Sequence, residues 1–386
     1  MQEIDGLPEL TQSDLTRYSR HIILPNVGLI GQKKLKNSKV CLVGAGALSS
    51  PIALYLGAAG VGTIGVIDFD EVDETNLQRQ VIHTTKNIGK SKTTSIKEGI
   101  LNINPNVNVI TFNTKITSQN AFDILKNFDI IVDCTDNFPT RYLVNDACVM
   151  LKKPNVYGSI FRFEGQASVF NSVNGACYRC IFPTPPPPNS VPSCGEGGVF
   201  GVLPGVIGSI QATEVIKIIL GEDKNTLVDR LLLYDALKMS FKEFKVKKDE
   251  HCPVCGQNPT ITELIDYENF CGIKKTENFD IKDISTKELK ILIDSGKKIN
   301  LIDVREVNES NIAGLENVIK IPLNQLGYNI GKIDESLLTV VICKVGTRSK
   351  YAIMLLKESG FRGELLNLDG GILAWINEID NSMSKY

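Results

Sequence analysis

Two Cys-x-x-Cys pairs, Cys177-Tyr-Arg-Cys180 and Cys252-Pro-Val-Cys255, stand far apart in a chain of 386 residues. Each pair can grip an ion from one tight turn, and four thiolates at this spacing are what a structural zinc site needs. The bland alternative is four buried free thiols, since free cysteine is among the most buried residue types. Two close pairs favour the metal. Cys194 and Cys343 are placed differently. Cys194 lies in Val-Pro-Ser-Cys-Gly-Glu-Gly-Gly and Cys343 in Val-Ile-Cys-Lys-Val-Gly-Thr-Arg-Ser, both among glycines and polar residues. Cys343 follows a predicted strand and precedes a predicted helix, so the backbone N–H groups of its loop converge on the sulfur, as on any anion at a helix N-terminus. Lys344 and Arg348 beside it favour the thiolate. The expected division is four thiols for structure and two for chemistry.

The elements that must position these groups read as α/β. Thr11-Gln-Ser-Asp opens a helix that carries Arg17, Tyr18, Arg20 and His21 and stops before Pro25. Lys39-Val-Cys-Leu-Val43 is a buried strand running into Gly44-Ala-Gly46 and a small-residue helix over 47–59. Thr63-Ile-Gly-Val-Ile-Asp68 is the next strand. Asp68 lies 22 residues past Gly46, where a carboxylate can hold ribose hydroxyls. Ser49 stands where the full dinucleotide fingerprint has its third glycine. Strands follow near 107–112, 130–134 and 155–159, alternating with helices near 90–102, 121–126 and 139–152, so the sheet is mostly parallel. After Gly165 come a strand over 166–170, a stiff proline run over 183–188, a helix over 211–220 and strands over 227–234 and 241–246. Residues 1–255 form one domain, 256–279 a linker, and 280–386 a second α/β domain. The second has helices near 287–295 and 349–359 and strands near 298–304, 338–343 and 365–368. No internal repeat relates the two.

Hydrophobic residues make up 42% of the chain and charged residues 22%, with a net charge of −2. That is the balance of a soluble globular protein and argues against a nucleic-acid or membrane partner. The apolar stretch 197–210 is too short and glycine-rich to span a bilayer, and the acidic N-terminus has no apolar signal core. A cytoplasmic location follows, where ten cysteines serve metal and catalysis rather than disulfides.

The segment Asp68-Phe-Asp-Glu-Val-Asp-Glu-Thr-Asn-Leu-Gln-Arg-Gln-Val-Ile-His83, with Gly89-Lys-Ser-Lys92 and Asp133-Cys-Thr-Asp-Asn137, resembles the MoeB/ThiF family, bacterial relatives of ubiquitin-activating enzymes. The resemblance covers about residues 16–255, including Arg17-Tyr-Ser-Arg-His-Ile-Ile-Leu24 and Arg162-Phe-Glu-Gly-Gln166. It implies a Rossmann-like ATP-binding domain with a zinc knuckle. ATP would be held by Gly44, Gly46, Ala47, Asp68, Thr75, Asn76, Leu77, Gln78, Arg79, Lys92, Asp136 and Asn137. Asp68 would bind ribose, Asn76, Arg79 and Lys92 the phosphates, and Asp136 magnesium. Arg20 would reach into the partner subunit's site, making a homodimer. These types suit the chemistry: a carboxylate attacking the α-phosphate needs its charge and the phosphate charge offset together.

Residues 281–375 resemble a rhodanese domain, through Leu301-Ile-Asp-Val-Arg-Glu306, Ile319-Lys-Ile-Pro322 and Leu368-Asp-Gly-Gly-Ile-Leu-Ala-Trp375. Four residues between Cys343 and Arg348 fit sulfur, whereas the related phosphatases use a loop one residue longer. Asn311 departs from the histidine usual there. Together the two resemblances imply adenylylation of the C-terminal Gly-Gly of a ubiquitin-like sulfur-carrier protein and its sulfuration to a thiocarboxylate. Cys343 would carry a persulfide from a donor such as a cysteine desulfurase. Cys194 would resolve the acyl-persulfide or form a thioester. Molybdopterin synthesis is the commonest role, with tRNA thiolation, thiamine and cysteine synthesis as alternatives. An NAD-dependent oxidoreductase would explain the glycine turn and Asp68 but not Arg79, Lys92, the CxxC pairs or the Cys343 loop.

Overall fold

The computed structural model describes residues 6–171, 175–187, 197–272 and 281–386. They form two compact units that meet in sequence at Cys271 and Gly272. The first is built on an eight-stranded sheet of order β3-β2-β1-β4-β5-β6-β7-β8. Its strands are β1 (Lys39–Val43), β2 (Thr63–Asp68), β3 (Asn108–Asn113), β4 (Ile130–Asp133), β5 (Asn155–Phe161), β6 (Glu164–Phe170), β7 (Arg230–Asp235) and β8 (Ser240–Lys245). β1 to β5 are parallel, and β6 to β8 continue antiparallel. Val40, Cys41, Leu42 and Val43 of β1 are all buried, as the unbroken apolar run of a strand covered on both faces requires. One face packs Leu42, Ile64 and Val132 against Ile52, Leu56, Ile207 and Val215. The other packs Cys41, Val43 and Ile131 with Phe128, Tyr142, Tyr157 and Tyr178.

The structure changes three sequence readings here. The expected first helix is two, Gln12–Arg17 and Ser19–Ile22, broken at Tyr18, and a further helix follows over Gly28–Asn37. The helix expected from 211 begins earlier, as Leu203–Leu220. Its glycine-rich first half hides the helical period, and Pro204 sits in the first turn, where a missing N–H has no helical partner to lose. Among the described residues it is the one helix long and apolar enough to cross a bilayer. It lies instead on the sheet, with Leu203, Ile207, Ala212 and Val215 buried in the core. Lastly, the stretch expected as linker packs onto the first unit as far as Cys271: Leu264, Ile265, Tyr267 and Phe270 join the second face of its core.

An ion pair inside that face ties the first CxxC turn to the helix Phe138–Leu151. Arg179 donates from Nε to Asp146 Oδ1 and from a terminal nitrogen to Oδ2, both at 2.8 Å. Tyr267 donates its hydroxyl to the same Asp146 Oδ2 at 2.8 Å. The guanidinium also lies 4.7 Å from the Tyr142 ring centre and 4.5 Å from that of Phe270. Both charges are buried, so each depends on the other.

The second unit is a five-stranded parallel sheet of order β11-β10-β12-β13-β9. Its strands are β9 (Lys282–Ile284), β10 (Asn300–Asp303), β11 (Ile319–Lys320), β12 (Thr339–Ile342) and β13 (Leu365–Leu368). The helix Thr286–Asp294 starts with a capping box between Ser285 and Glu288. Helices Thr347–Glu358 and Gly371–Glu378 pack on opposite faces, through Ala352, Ile353 and Leu356 on one and Ile372, Trp375 and Ile376 on the other. The short strands β9 and β11 and the helices Val307–Ile312 and Gly371–Glu378 were not in the sequence reading, because each is too short to show a period.

Arg179→Met keeps much of the side-chain volume but strands the Asp146 carboxylate. The expected loss is about 3–5 kcal/mol of unfolding free energy, read by denaturant titration. A loss under about 1 kcal/mol would show that Asp146 is satisfied without it.

Candidate active site and metal centre

In an open parallel sheet, ligands bind outside the carboxyl ends of the strands where the order reverses direction. Here that point lies between β1 and β4, whose last paired residues are Val43 and Asp133. The glycine turn leaves β1, Asp68 ends β2, and Asp136 follows β4. Gly44 has φ +101°, and a Cβ there would stand 3.0 Å from the Cys134 carbonyl oxygen, so the turn needs glycine for both reasons. Asp68 braces this turn. Its Oδ2 accepts from Ala45 N at 2.7 Å and its Oδ1 from Asp70 N at 2.8 Å. Each oxygen keeps a second lone pair for a ligand hydroxyl. Ser49 and Ser50 turn their hydroxyls back onto the Gly46 carbonyl.

His83, unassigned from sequence, closes the other side of Ala45. Its Nε2 lies 2.9 Å from the Ala45 carbonyl, an acceptor, so Nε2 carries the proton and Nδ1 accepts from Ser95 Oγ at 2.8 Å. Burial, together with the nearby Lys92 charge, lowers the His83 pKa and keeps the ring neutral. Ser95 lies on the helix Lys92–Ile103, so this imidazole links the glycine turn to the helix that carries Lys92. Lys92 is buried in that helix's first turn, where the dipole disfavours a cation. Asp70 balances it at 2.8 Å. Thr75, Asn76, Leu77 and Gln78 form a tight turn capped by Asp73, and Arg79 donates back to the Thr75 carbonyl at 3.0 Å. Asp136 is exposed at the end of β4. Asn137 caps the helix Phe138–Leu151, accepting from Thr140 N at 3.0 Å. Behind them a buried Arg141 pairs with Asp133 at 3.4 Å and donates to the Thr135 carbonyl, fixing this loop. The structure thus gathers the glycine turn, Asp68, Lys92, Asp70 and His83 into one bonded network. Arg20 is exposed on its short helix, with no bond to that network.

The four CxxC sulfurs come together. Cys177 Sγ lies 3.5 Å from Cys252 Sγ, Cys180 Sγ lies 3.4 Å from Cys255 Sγ, and all four are within 4.8 Å of one another. A tetrahedral zinc with sulfurs at ~2.3 Å places them ~3.8 Å apart, so the donor set fits. Asp249 N–H donates to Cys180 Sγ at 3.4 Å.

In the second unit, Cys343 follows β12 and faces the start of the helix Thr347–Glu358. Gly346 N–H donates to its sulfur at 3.1 Å, and the Ser349 hydroxyl lies 3.2 Å away. That hydroxyl is also 2.5 Å from Asn367 Oδ1, whose amide nitrogen donates to Asp283 at 2.7 Å. With a thiol, the Ser349 proton can point to Asn367 and its oxygen accept from S–H. With a thiolate, it turns to the sulfur. Arg348 spends both terminal nitrogens on Glu309, at 2.8 and 2.7 Å, rather than turning them to the sulfur. Lys344 lies 4.8 Å from the Tyr386 ring centre. Gly371 packs so close beneath the loop that a Cβ would meet the Cys343 carbonyl oxygen at 2.5 Å.

Cys41, Cys134, Cys148 and Cys271, passed over in the sequence, are core thiols. Burial pushes Cys271 up to about 11 and the other three further. Cys194 lies outside the described residues. Sequence reasoning also missed Asp70, Ser95, Ser349, Asn367 and Glu309. Only the position of Ser349, next to Arg348 at the start of a helix, offered a local signal.

Residues 18–254 match the ThiF family, and residues 285–378 match the rhodanese-like domain. The chain is 45% identical to a probable adenylyltransferase/sulfurtransferase MoeZ of Mycobacterium tuberculosis, covering 99% of this chain and 98% of that protein. It is 42% identical to the adenylyltransferase and sulfurtransferase MOCS3 of Culex quinquefasciatus, over 98% of this chain and 91% of that one. A crystal structure of E. coli MccB with MccA-N7isoASN shares the fold. It has a TM-score of 0.57 at 23% identity, over 62% of this chain and 75% of that one.

The purified protein is expected to contain about one zinc per chain, measured by atomic emission. Cys252→Ser should lose it and lower the melting temperature. A metal-free protein with unchanged melting would remove the assignment.

Proposed function

We propose, for a chain that belongs to the ThiF family and is both an adenylyltransferase and a sulfurtransferase, that its substrate is a ubiquitin-like sulfur-carrier protein ending in Gly-Gly. The product is the carrier's thiocarboxylate, made for molybdenum-cofactor synthesis. The observation that supports this best is the presence, in one chain, of a switch-point nucleotide site and a cysteine loop with donors aimed at its sulfur. Neither alone converts a carboxylate to a thiocarboxylate.

The carrier carboxylate attacks the α-phosphorus of ATP and pyrophosphate leaves. Gly44, Gly46 and Ala47 let the phosphates approach the backbone, Asp68 takes the ribose, and Asn76, Arg79 and Lys92 offset the phosphate charge. Asp136, exposed and offering the hard oxygen that magnesium prefers, would hold the ion, which when bound offsets phosphate charge. Gly346 N–H and Ser349 hold the Cys343 sulfur. A persulfide there, taken from a cysteine desulfurase or similar donor, attacks the acyl-adenylate carbon and AMP leaves. Cys194 thiolate then attacks Cys343 Sγ, forming a Cys194–Cys343 disulfide and freeing the thiocarboxylate, and a thiol reductant reopens the disulfide. This chemistry belongs in a reducing compartment, the cytoplasm.

The two halves should separate by mutation. Cys343→Ala should keep carrier-dependent ATP–pyrophosphate exchange and yield no thiocarboxylate from a persulfide donor, as read by the mass of the carrier. Asp136→Ala should lose the exchange but still accept sulfur on Cys343. Thiocarboxylate formation at the normal rate by Cys343→Ala would sink the mechanism.

Arg20, exposed and unbonded to its own site, serves the site of a second copy in this reading. Mixing inactive Arg20→Ala with inactive Asp136→Ala should restore part of the exchange activity, because one hybrid site then holds both residues. Continued inactivity under proven subunit exchange would return Arg20 to its own subunit or to no role.

A further inference from the structure

Among the described residues, Arg348, Lys350 and Arg305 near the Cys343 loop are each matched by a carboxylate, and Lys344 by an aromatic ring. Arg348 and Glu309 make a two-bond fork at 2.8 and 2.7 Å, with side chains only 8% and 12% exposed. Lys350 pairs with Asp283 at 3.0 Å. Arg305 donates to Asp303 and to the Ala313 carbonyl and is fully buried. Lys344 lies over the Tyr386 ring. A guanidinium fork is the geometry that grips an oxyanion in two bonds, and here Glu309 occupies that fork.

We propose that Glu309 selects the sulfur donor: by occupying Arg348 it turns the Cys343 loop away from doubly anionic donors such as thiosulfate and toward persulfides. The inference rests on the sulfur-transfer reading of Cys343. The charge balance of the two reactions differs. From a persulfide, Cys343 thiolate attacks the outer sulfur of R–S–SH, the S–S bond breaks, and R–S⁻ leaves while Cys343–S–SH forms. The total charge is −1 throughout. From thiosulfate, the thiolate attacks the outer sulfur of a dianion and sulfite leaves as a dianion, with Cys343–S–S⁻ formed. The total charge is −3. The first reaction needs the local donors Gly346 N–H and Ser349. The second needs a free cation on the departing sulfite, and Arg348 can supply one only if Glu309 lets go. A carboxylate would then be left beside an incoming dianion, and like charges at close range are repelled strongly in a poorly hydrated site. Glu309 is reached from β10 through the helix Val307–Ile312, 39 residues from Arg348, so nothing in the loop's own sequence reports it.

The test charges the full chain with two donors, thiosulfate and glutathione persulfide, and follows the persulfide on Cys343 by mass and by cyanolysis. The wild-type protein should prefer glutathione persulfide in kcat/KM and resist inhibition by sulfate. Glu309→Gln frees the guanidinium fork without changing its shape. It should move the thiosulfate-to-persulfide ratio of kcat/KM toward thiosulfate by at least about tenfold, mostly through KM, and introduce competitive inhibition by sulfate. A purely structural role would lower both donors together and leave the ratio unmoved. An unmoved ratio in a folded variant overturns the inference, as does a wild-type protein that uses thiosulfate as well as persulfide. Should the variant not fold, the wild-type donor ratio and its response to sulfate still decide. Failure of both donors to charge Cys343 would overturn the sulfur-transfer reading itself, and this inference with it.

Discussion

Parallel β-strands deliver all their carboxyl ends to one edge of a sheet, and both units rest on that constraint. In the first, β1, β2 and β4 end side by side, so the glycine turn, Asp68 and Asp136 converge although they are far apart in sequence. In the second, β12 lies between β10 and β13. The residues that follow their ends, among them Glu309 and Gly371, therefore pack against the Cys343 loop. A helix starts just beyond each of the two reactive loops, and its free N–H groups and dipole favour anions there. In the proposed function the same geometry serves phosphate in one unit and thiolate in the other.

What differs is how charge is managed. In the proposed nucleotide site, positive charge is left to meet phosphate. Among the described residues, the Lys92 ammonium pairs with Asp70, whose side chain is half exposed, and Arg79 bonds a backbone carbonyl. The sulfur site does the reverse, matching Arg348, Lys350 and Arg305 each with a carboxylate. Sulfur chemistry at Cys343 is then supported by neutral donors, Gly346 N–H and Ser349. Neutral donors stabilise a thiolate without attracting competing oxyanions from solution, which suits the persulfide proposed at this loop.

The cysteines are sorted by surroundings in the same way. Four lie close enough to share one tetrahedral ion. Four are packed in the core, where burial raises their pKa and keeps them as inert thiols. Cys343 is buried too, but polar donors face its sulfur. The turn that carries the first CxxC pair is not isolated from the fold. Arg179, between Cys177 and Cys180, reaches Asp146 on the helix Phe138–Leu151, and Tyr267 joins them from beyond the second CxxC pair. Residues past 255 stay with the first unit for this reason, which a reading of local period alone could not anticipate.

The α/β class, the mostly parallel sheet, the four-cysteine cluster and the loop at Cys343 were all legible in the sequence. Each is written locally: a buried strand is an unbroken apolar run, a glycine turn is a few adjacent residues, and a metal turn is a fixed spacing. The long helix from Leu203 was shortened in that reading because its glycines erase the period, and the short β9 and β11 had too few residues to show one. His83, Asp70, Glu309 and Asn367 could not be placed from sequence at all. Their roles depend on which strand ends meet, and a hydrogen bond between Ser349 and Asn367 or an ion pair between Arg348 and Glu309 exists only once the sheet has set its order. Local spacing determined which chemistries this chain carries. The pairing of distant charges around them was decided only by the tertiary structure, because it needs strand ends that are far apart in sequence to meet.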